Sequence, residues 1–208
     1  MMIDALGGRV LCGFVKALTG ARVRWIGCPP AATQRVYYAN HTSHGDFALL
    51  WACLPPDLRS RTRPVAGADY WGEPGIKSYI ANHLIRAVLI ERGGGSHAES
   101  PIRPMIVAIE SGDSLIVFPE GTRNMTDEPL LPFKSGIYHL ARACPQVDFV
   151  PVWIENSRRV MPKGRFVPIP LLCTLSVGAP LRLEADEAKA AFLERTRNAL
   201  LALMPPLR

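Results

Sequence analysis

Residues 35–53 read RVYYANHTSHGDFALLWAC, and the reading of this stretch decides the fold. A short β-favouring run (35–39) ends in a polar turn, and an apolar segment of helical length (44–53) follows it. Strand, polar turn and helix in that order form the repeating half of an α/β sheet, whose functional groups gather beyond the carboxyl ends of the strands. The alternation continues outward in both directions. Segments 22–26, 63–68, 87–91, 114–118, 149–154 and 173–177 read as further strands. Segments 74–84, 100–111, 134–143 and 185–203 read as helices, the last with Asp186 and Glu187 near its start. The expected fold is α/β, a mixed and largely parallel sheet flanked by helices, preceded by an N-terminal amphipathic helix over residues 1–20.

The chain has 208 residues, 48% hydrophobic and 20% charged, which suits one domain with a short appendage and a sizeable core. Five cysteines (Cys12, Cys28, Cys53, Cys144 and Cys173) are scattered without a Cys-x-x-Cys pair. That pattern fits reduced thiols in a cytoplasmic setting better than a disulfide framework. A net charge of +6 and a pI of about 9.3 imply an acidic partner such as anionic lipid or a phosphorylated substrate. Nucleic acid is disfavoured, because no helix carries a continuous basic face and no RNA- or DNA-binding signature occurs. No apolar run reaches the roughly 18 residues of a spanning helix, and the first residues lack the basic start of a signal peptide. Ile3, Leu6, Val10, Phe14 and Leu18 recur at helical spacing, with Leu11 and Val15 beside them. Such a stripe either packs on the core or lies in a membrane surface.

Within NHTSHGD (40–46) the chemistry has three candidate forms: a metal cluster, a relay pair, or a plain polar turn. His41 and His44 have the wrong spacing for a metal site, and His83, His97 and His139 add no pair, so no metal is expected. The relay form is better supported. A strand ending at Ala39 carries His41 to the sheet edge, and Asp46 falls in the first turn of the next helix. From there a carboxylate can fold back to hold the proton on one imidazole nitrogen and leave the other as a base. Ser43 is placed to cap the helix, and His44 faces solvent in its first turn. The tetrapeptide GDSL (112–115) spells a serine-hydrolase motif but precedes a strand, so Gly112 reads as a helix end. In FPEGTRN (118–124), Pro119 and Gly121 force a turn, and Arg123 offers a guanidinium fork suited to phosphate. An internal Glu120–Arg123 pair is the competing reading of that turn.

Taken together, these blocks resemble the glycerolipid acyltransferases, specifically the 1-acylglycerol-3-phosphate (lysophosphatidic acid) acyltransferase family. NHTSHGD is similar to its NHxSxxD motif and FPEGTR to its phosphate-recognition block. RAVLIER (86–92), FKSG (133–136) and VPVWI (150–154) follow in the family's order. The resemblance covers about residues 35–155 and makes 21–208 the acyltransferase domain, with a glycerol-3-phosphate acyltransferase-like fold. It implies an O-acyltransferase in which His41 is the general base and Asp46 orients it. Arg92, Glu120, Gly121, Thr122, Arg123 and Lys134 would shape the acceptor-phosphate site. Acyl-CoA or acyl carrier protein would be the co-substrate, with no cofactor and no metal, and a lysolipid the acceptor. A peripheral position on the cytoplasmic face of the cell membrane is implied, with RSRTR (59–63) and SRRVMPKGR (157–165) meeting an anionic surface. The chain departs from the family at Arg86, where relatives have glycine, and at Leu89. Arg86 is expected to add bulk and charge beside the acceptor pocket. That keeps open another acceptor, such as a lyso-ornithine lipid or a lysophospholipid, and a non-catalytic lipid-binding protein remains a second alternative.

Overall fold

The computed structural model describes residues 2–71, 75–91, 101–155 and 172–206. Seven strands make one sheet: β1 (Arg22–Trp25), β2 (Arg35–Ala39), β3 (Thr62–Gly67), β4 (Val88–Ile90), β5 (Ser114–Val117), β6 (Asp148–Glu155) and β7 (Thr174–Val177). Their order is β1-β7-β6-β2-β5-β3-β4. Every neighbouring pair is parallel except β6 and β7, so the sheet is mixed and largely parallel, as expected. Each strand lies within a residue of its expected position.

The central strands are apolar on both faces, as burial on two sides requires. Tyr37 and Ala39 of β2 face one core, while Val36 and Tyr38 face the other. The first core is closed by α1 (Met2–Thr19) and α2 (Asp46–Cys53), together with short helical turns α3 (Pro56–Ser60) and α4 (Ala68–Trp71), and beyond them along the chain lies α5 (Ile76–Tyr79). The last of these continues into a π-helical turn over Ile80–Leu84. The second core lies under α6 (Arg103–Glu110), α7 (Gly136–Ala143) and α8 (Lys189–Leu201).

Helix α1 packs by its small residues. A Cβ at Gly7 would lie 2.9 Å from the Leu84 side chain, Gly8 faces Trp51, and the Cys12 thiol donates to the Ala52 carbonyl at 3.1 Å. Val10 and Phe14 point the other way, 64% and 62% exposed. The core-packing reading of that stripe therefore fails for these two residues, because close approach to α2 selects the glycine side. Among the described residues no helix is long and apolar enough to cross a membrane.

Arg86 is not where the sequence places it. It precedes β4 with φ +51, its carbonyl accepts the Arg63 Nε–H at 2.6 Å, and its guanidinium lies 3.6 Å from Asp113. These groups sit at the amino ends of β3, β4 and β5, across the sheet from His41. The left-handed backbone also explains why glycine suits the position. In GDSL, Gly112 has φ +87 and its N–H returns to the Ile109 carbonyl while Asp113 N–H returns to that of Ala108, which closes α6. Ser114 is buried, and its hydroxyl accepts the Arg35 N–H. Arg92 and the basic segment 157–165 lie outside the described residues.

Candidate active site

The site begins where β2 ends. The Asn40 amide donates to the Ile154 carbonyl at 3.0 Å and accepts the Ile154 N–H at 2.7 Å, extending contact with β6 after the main chain has turned away. His41 is then held on three sides. Its N–H donates to Glu120 Oε1 at 2.7 Å, its carbonyl accepts the Asn124 N–H at 2.7 Å, and its ring stacks on Phe118 with centroids 4.2 Å apart.

Its Nδ1 lies 3.0 Å from Asp46 Oδ2. Asp46 is fully buried at the first position of α2, where the helix dipole favours negative charge. The same oxygen accepts the N–H groups of Thr42 at 2.7 Å and Ser43 at 2.8 Å. An ionised carboxylate only accepts, so Nδ1 carries the proton and Nε2 is left as the basic nitrogen. Ser43 does not cap α2 as expected. Gly45 precedes the helix, and the Ser43 hydroxyl accepts the Gly45 N–H at 3.2 Å.

A cavity of about 670 Å³ opens beside His41, bounded by the carboxyl ends of β3, β4 and β5 and by α6 and α7. Val65, Ile90, Ile102, Met105 and Leu140 supply apolar wall, while Thr122, Arg123 and Lys134 bring polar and cationic groups to it. His44 also reaches its lining and is exposed there. Arg123 is half-buried and pairs with no carboxylate among the described residues. The Glu120–Arg123 staple is absent because Glu120 turns inward. It is 1% exposed, and its second oxygen accepts the Leu131 N–H at 2.9 Å. Burial pushes its pKa up, against the opposing effect of its two N–H bonds. Gly121 has φ +70, and a Cβ there would meet the Lys134 stem at 3.1 Å.

Of the expected residues, His41, Gly121, Thr122, Arg123 and Lys134 therefore line one cavity. Asp46 stands behind His41, and Glu120 stands behind the wall. Asn40, Phe118 and Asn124 take no role in the sequence reading although all three lie within the quoted stretches NHTSHGD and FPEGTRN; an amide directly after a strand is the available signal. Within the turn, Gly121 N–H is bonded to the Phe118 carbonyl and so does not point into the cavity as a free donor. All five cysteines are buried, and burial pushes Cys53 and Cys173 up to about 11, so none offers a nucleophile. Among the described residues no group of three His, Cys, Asp or Glu side chains is arranged to hold a metal ion.

A histidine oriented by a buried carboxylate thus stands beside a cavity with apolar walls and an arginine that pairs with no carboxylate among the described residues. The acyltransferase family matches residues 28–155, and the chain belongs to that family. It is 32% identical to "1-acyl-sn-glycerol-3-phosphate acyltransferase alpha" of Homo sapiens over 94% of this chain and 68% of that protein. It is 30% identical to "1-acyl-sn-glycerol-3-phosphate acyltransferase" of Cocos nucifera over 70% of this chain and 50% of that one. The chain thus spans between half and about two thirds of these relatives' length. The fold is shared with the 1-acyl-sn-glycerophosphate acyltransferase PlsC of Thermotoga maritima: TM-score 0.73 at 21% identity, covering 96% of this chain and 79% of that one.

Proposed function

We propose that the protein moves a fatty acyl group from a thioester to the free hydroxyl of 1-acylglycerol-3-phosphate, giving phosphatidic acid. The observation that carries this reading is the opening of His41, held by Asp46, into the same cavity as Arg123, which pairs with no carboxylate among the described residues. The acceptor hydroxyl gives its proton to His41 Nε2 as its oxygen attacks the thioester carbonyl. The tetrahedral oxyanion then collapses, the C–S bond breaks, and the imidazolium returns the proton to the departing thiolate. An ester and a free thiol result, with no acyl-enzyme, no cofactor and no metal. Such a base is worth about 10²- to 10⁴-fold in rate. Arg123, with Lys134 beside it and Arg92 as a further arginine, suits a phosphate monoester, while the apolar wall suits a fatty chain.

The donor is acyl-CoA or acyl carrier protein. The outward Val10 and Phe14 of α1 suit contact with a lipid surface, which supports a peripheral place on the membrane; the cytoplasmic face is part of the same proposal. Arg86, which motivated another acceptor, is remote from the cavity. Thiol release from an acyl thioester, measured over a panel of lysolipids, tests the reading. Arg123→Lys should lose about 1.5–3 kcal/mol of acceptor binding, seen as a raised KM for lysophosphatidic acid. An acceptor lacking phosphate should be indifferent to that change, and equal losses on both acceptors would sink the assignment.

A further inference from the structure

We infer that Glu120 is a positioning residue for His41, acting through the histidine main chain and not on the acceptor phosphate. The inference rests on the acyl-transfer reading above and changes the role that the sequence motif implies for this residue. Glu120 is 1% exposed and is absent from the cavity wall that Gly121, Thr122 and Arg123 form. One of its oxygens holds the His41 N–H and the other the Leu131 N–H, at 2.7 and 2.9 Å. A carboxylate aimed into a phosphate site would also repel its ligand. Turned inward, it removes that repulsion.

The surrounding geometry points the same way. Phe118 stacks on the imidazole at an interplanar angle of 22°, and Asn124 N–H binds the His41 carbonyl. Three residues of the stretch 118–124 thus grip the base at its ring, its N–H and its carbonyl, and the same stretch carries Arg123 to the cavity. The imidazole orientation set by Asp46 is useful only if the histidine Cα is itself fixed. Glu120 ties that Cα to the loop that presents the cation. Its negative charge also favours the imidazolium formed during transfer, and the facing charge of His41 is among the influences that lower the Glu120 pKa.

Two measurements test the inference. In Glu120→Gln the amide must set an NH₂ against one of the two N–H donors, so one attachment is lost. Because a displacement of about 1 Å can cost about 10²-fold, kcat should fall by that order while the acceptor KM stays within about threefold. Arg123→Lys should show the opposite division. A Glu120→Gln protein with unchanged kcat and a KM raised as in Arg123→Lys would overturn the inference. The second measurement needs only the wild-type chain in detergent micelles. A bond from an amide to a buried carboxylate should place the His41 amide proton well downfield and protect it from exchange, whereas an ordinary shift and fast exchange would overturn the proposal. The amide result is independent of substrate. Failure of every lysolipid to accept an acyl group would therefore strike the function and leave the positioning claim to be judged by resonance alone.

Discussion

Asp46→Asn isolates what the carboxylate contributes. Three donors converge on Oδ2: His41 Nδ1 and the amides of Thr42 and Ser43. An asparagine must turn its oxygen toward them, since an NH₂ there would oppose two fixed N–H groups. The histidine tautomer is therefore preserved, and only the charge is lost. Exchanging a charge-assisted bond for a neutral one removes about 1–2 kcal/mol of support for the imidazolium. That corresponds to a fall in kcat of about 5- to 30-fold, milder than the two or more orders expected for His41→Ala. The new NH₂ would occupy the place of Oδ1, which is buried and has no hydrogen-bond partner among the described residues. Because that oxygen is already unsatisfied, the loss of stability comes from weakening the charge-assisted bonds at Oδ2, about 1–2 kcal/mol. A chain of this size should lose about 2–4 °C in Tm for each kcal/mol. Initial rates of thiol release, with calorimetric melting of the same preparations, provide the assay. Activity as low as that of His41→Ala would mean the amide has flipped and the backbone donors do not discipline it. Unchanged activity would mean the carboxylate charge is irrelevant.

Two further outcomes are expected. Arg86→Gly should change stability by no more than about 1 kcal/mol, since relief of the left-handed backbone is offset by glycine entropy and loss of an exposed ion pair; melting temperature and acceptor preference check this, and a changed preference would return Arg86 to the cavity. The buried thiols, with Cys53 and Cys173 raised to about 11, should stay silent to a disulfide reagent at pH 8 in the native protein and all five should react on unfolding; rapid native labelling that also stops transfer would contradict the described burial.

The seven strands were legible because their apolar runs are short, β-rich and bounded by turn residues, and the buried two-faced pattern of β2 leaves little else for RVYYA to be. The His41–Asp46 pairing was legible for a related reason: a strand end and a helix start separated by six residues bring the two side chains together. Helix α1 was harder. Hydrophobicity pointed to its bulky stripe, but packing distance favoured Gly7, Gly8 and Cys12, a choice that depends on how near α2 stands. Helical turn α3 was hidden by Pro55–Pro56, which reads as a break although Pro56 suits a helix start. Glu120 and Arg86 illustrate the same limit. Spacing says which loop a side chain belongs to, while direction depends on partners distant in sequence, Leu131 for one and Asp113 for the other.

The amide of Asn40 behaves as a peptide unit that the main chain does not contain. A strand that leaves a sheet strips its neighbour of partners, and the freed end ordinarily frays. Here the chain departs while its lateral attachment to Ile154 persists, so the segment entering the reactive turn starts from an anchored joint. Carboxylate or hydrocarbon at this position would match only one, or neither, of the two groups on Ile154. The sharpness with which the protein locates its base thus begins one residue upstream, in a buried side chain that takes no part in the cavity wall.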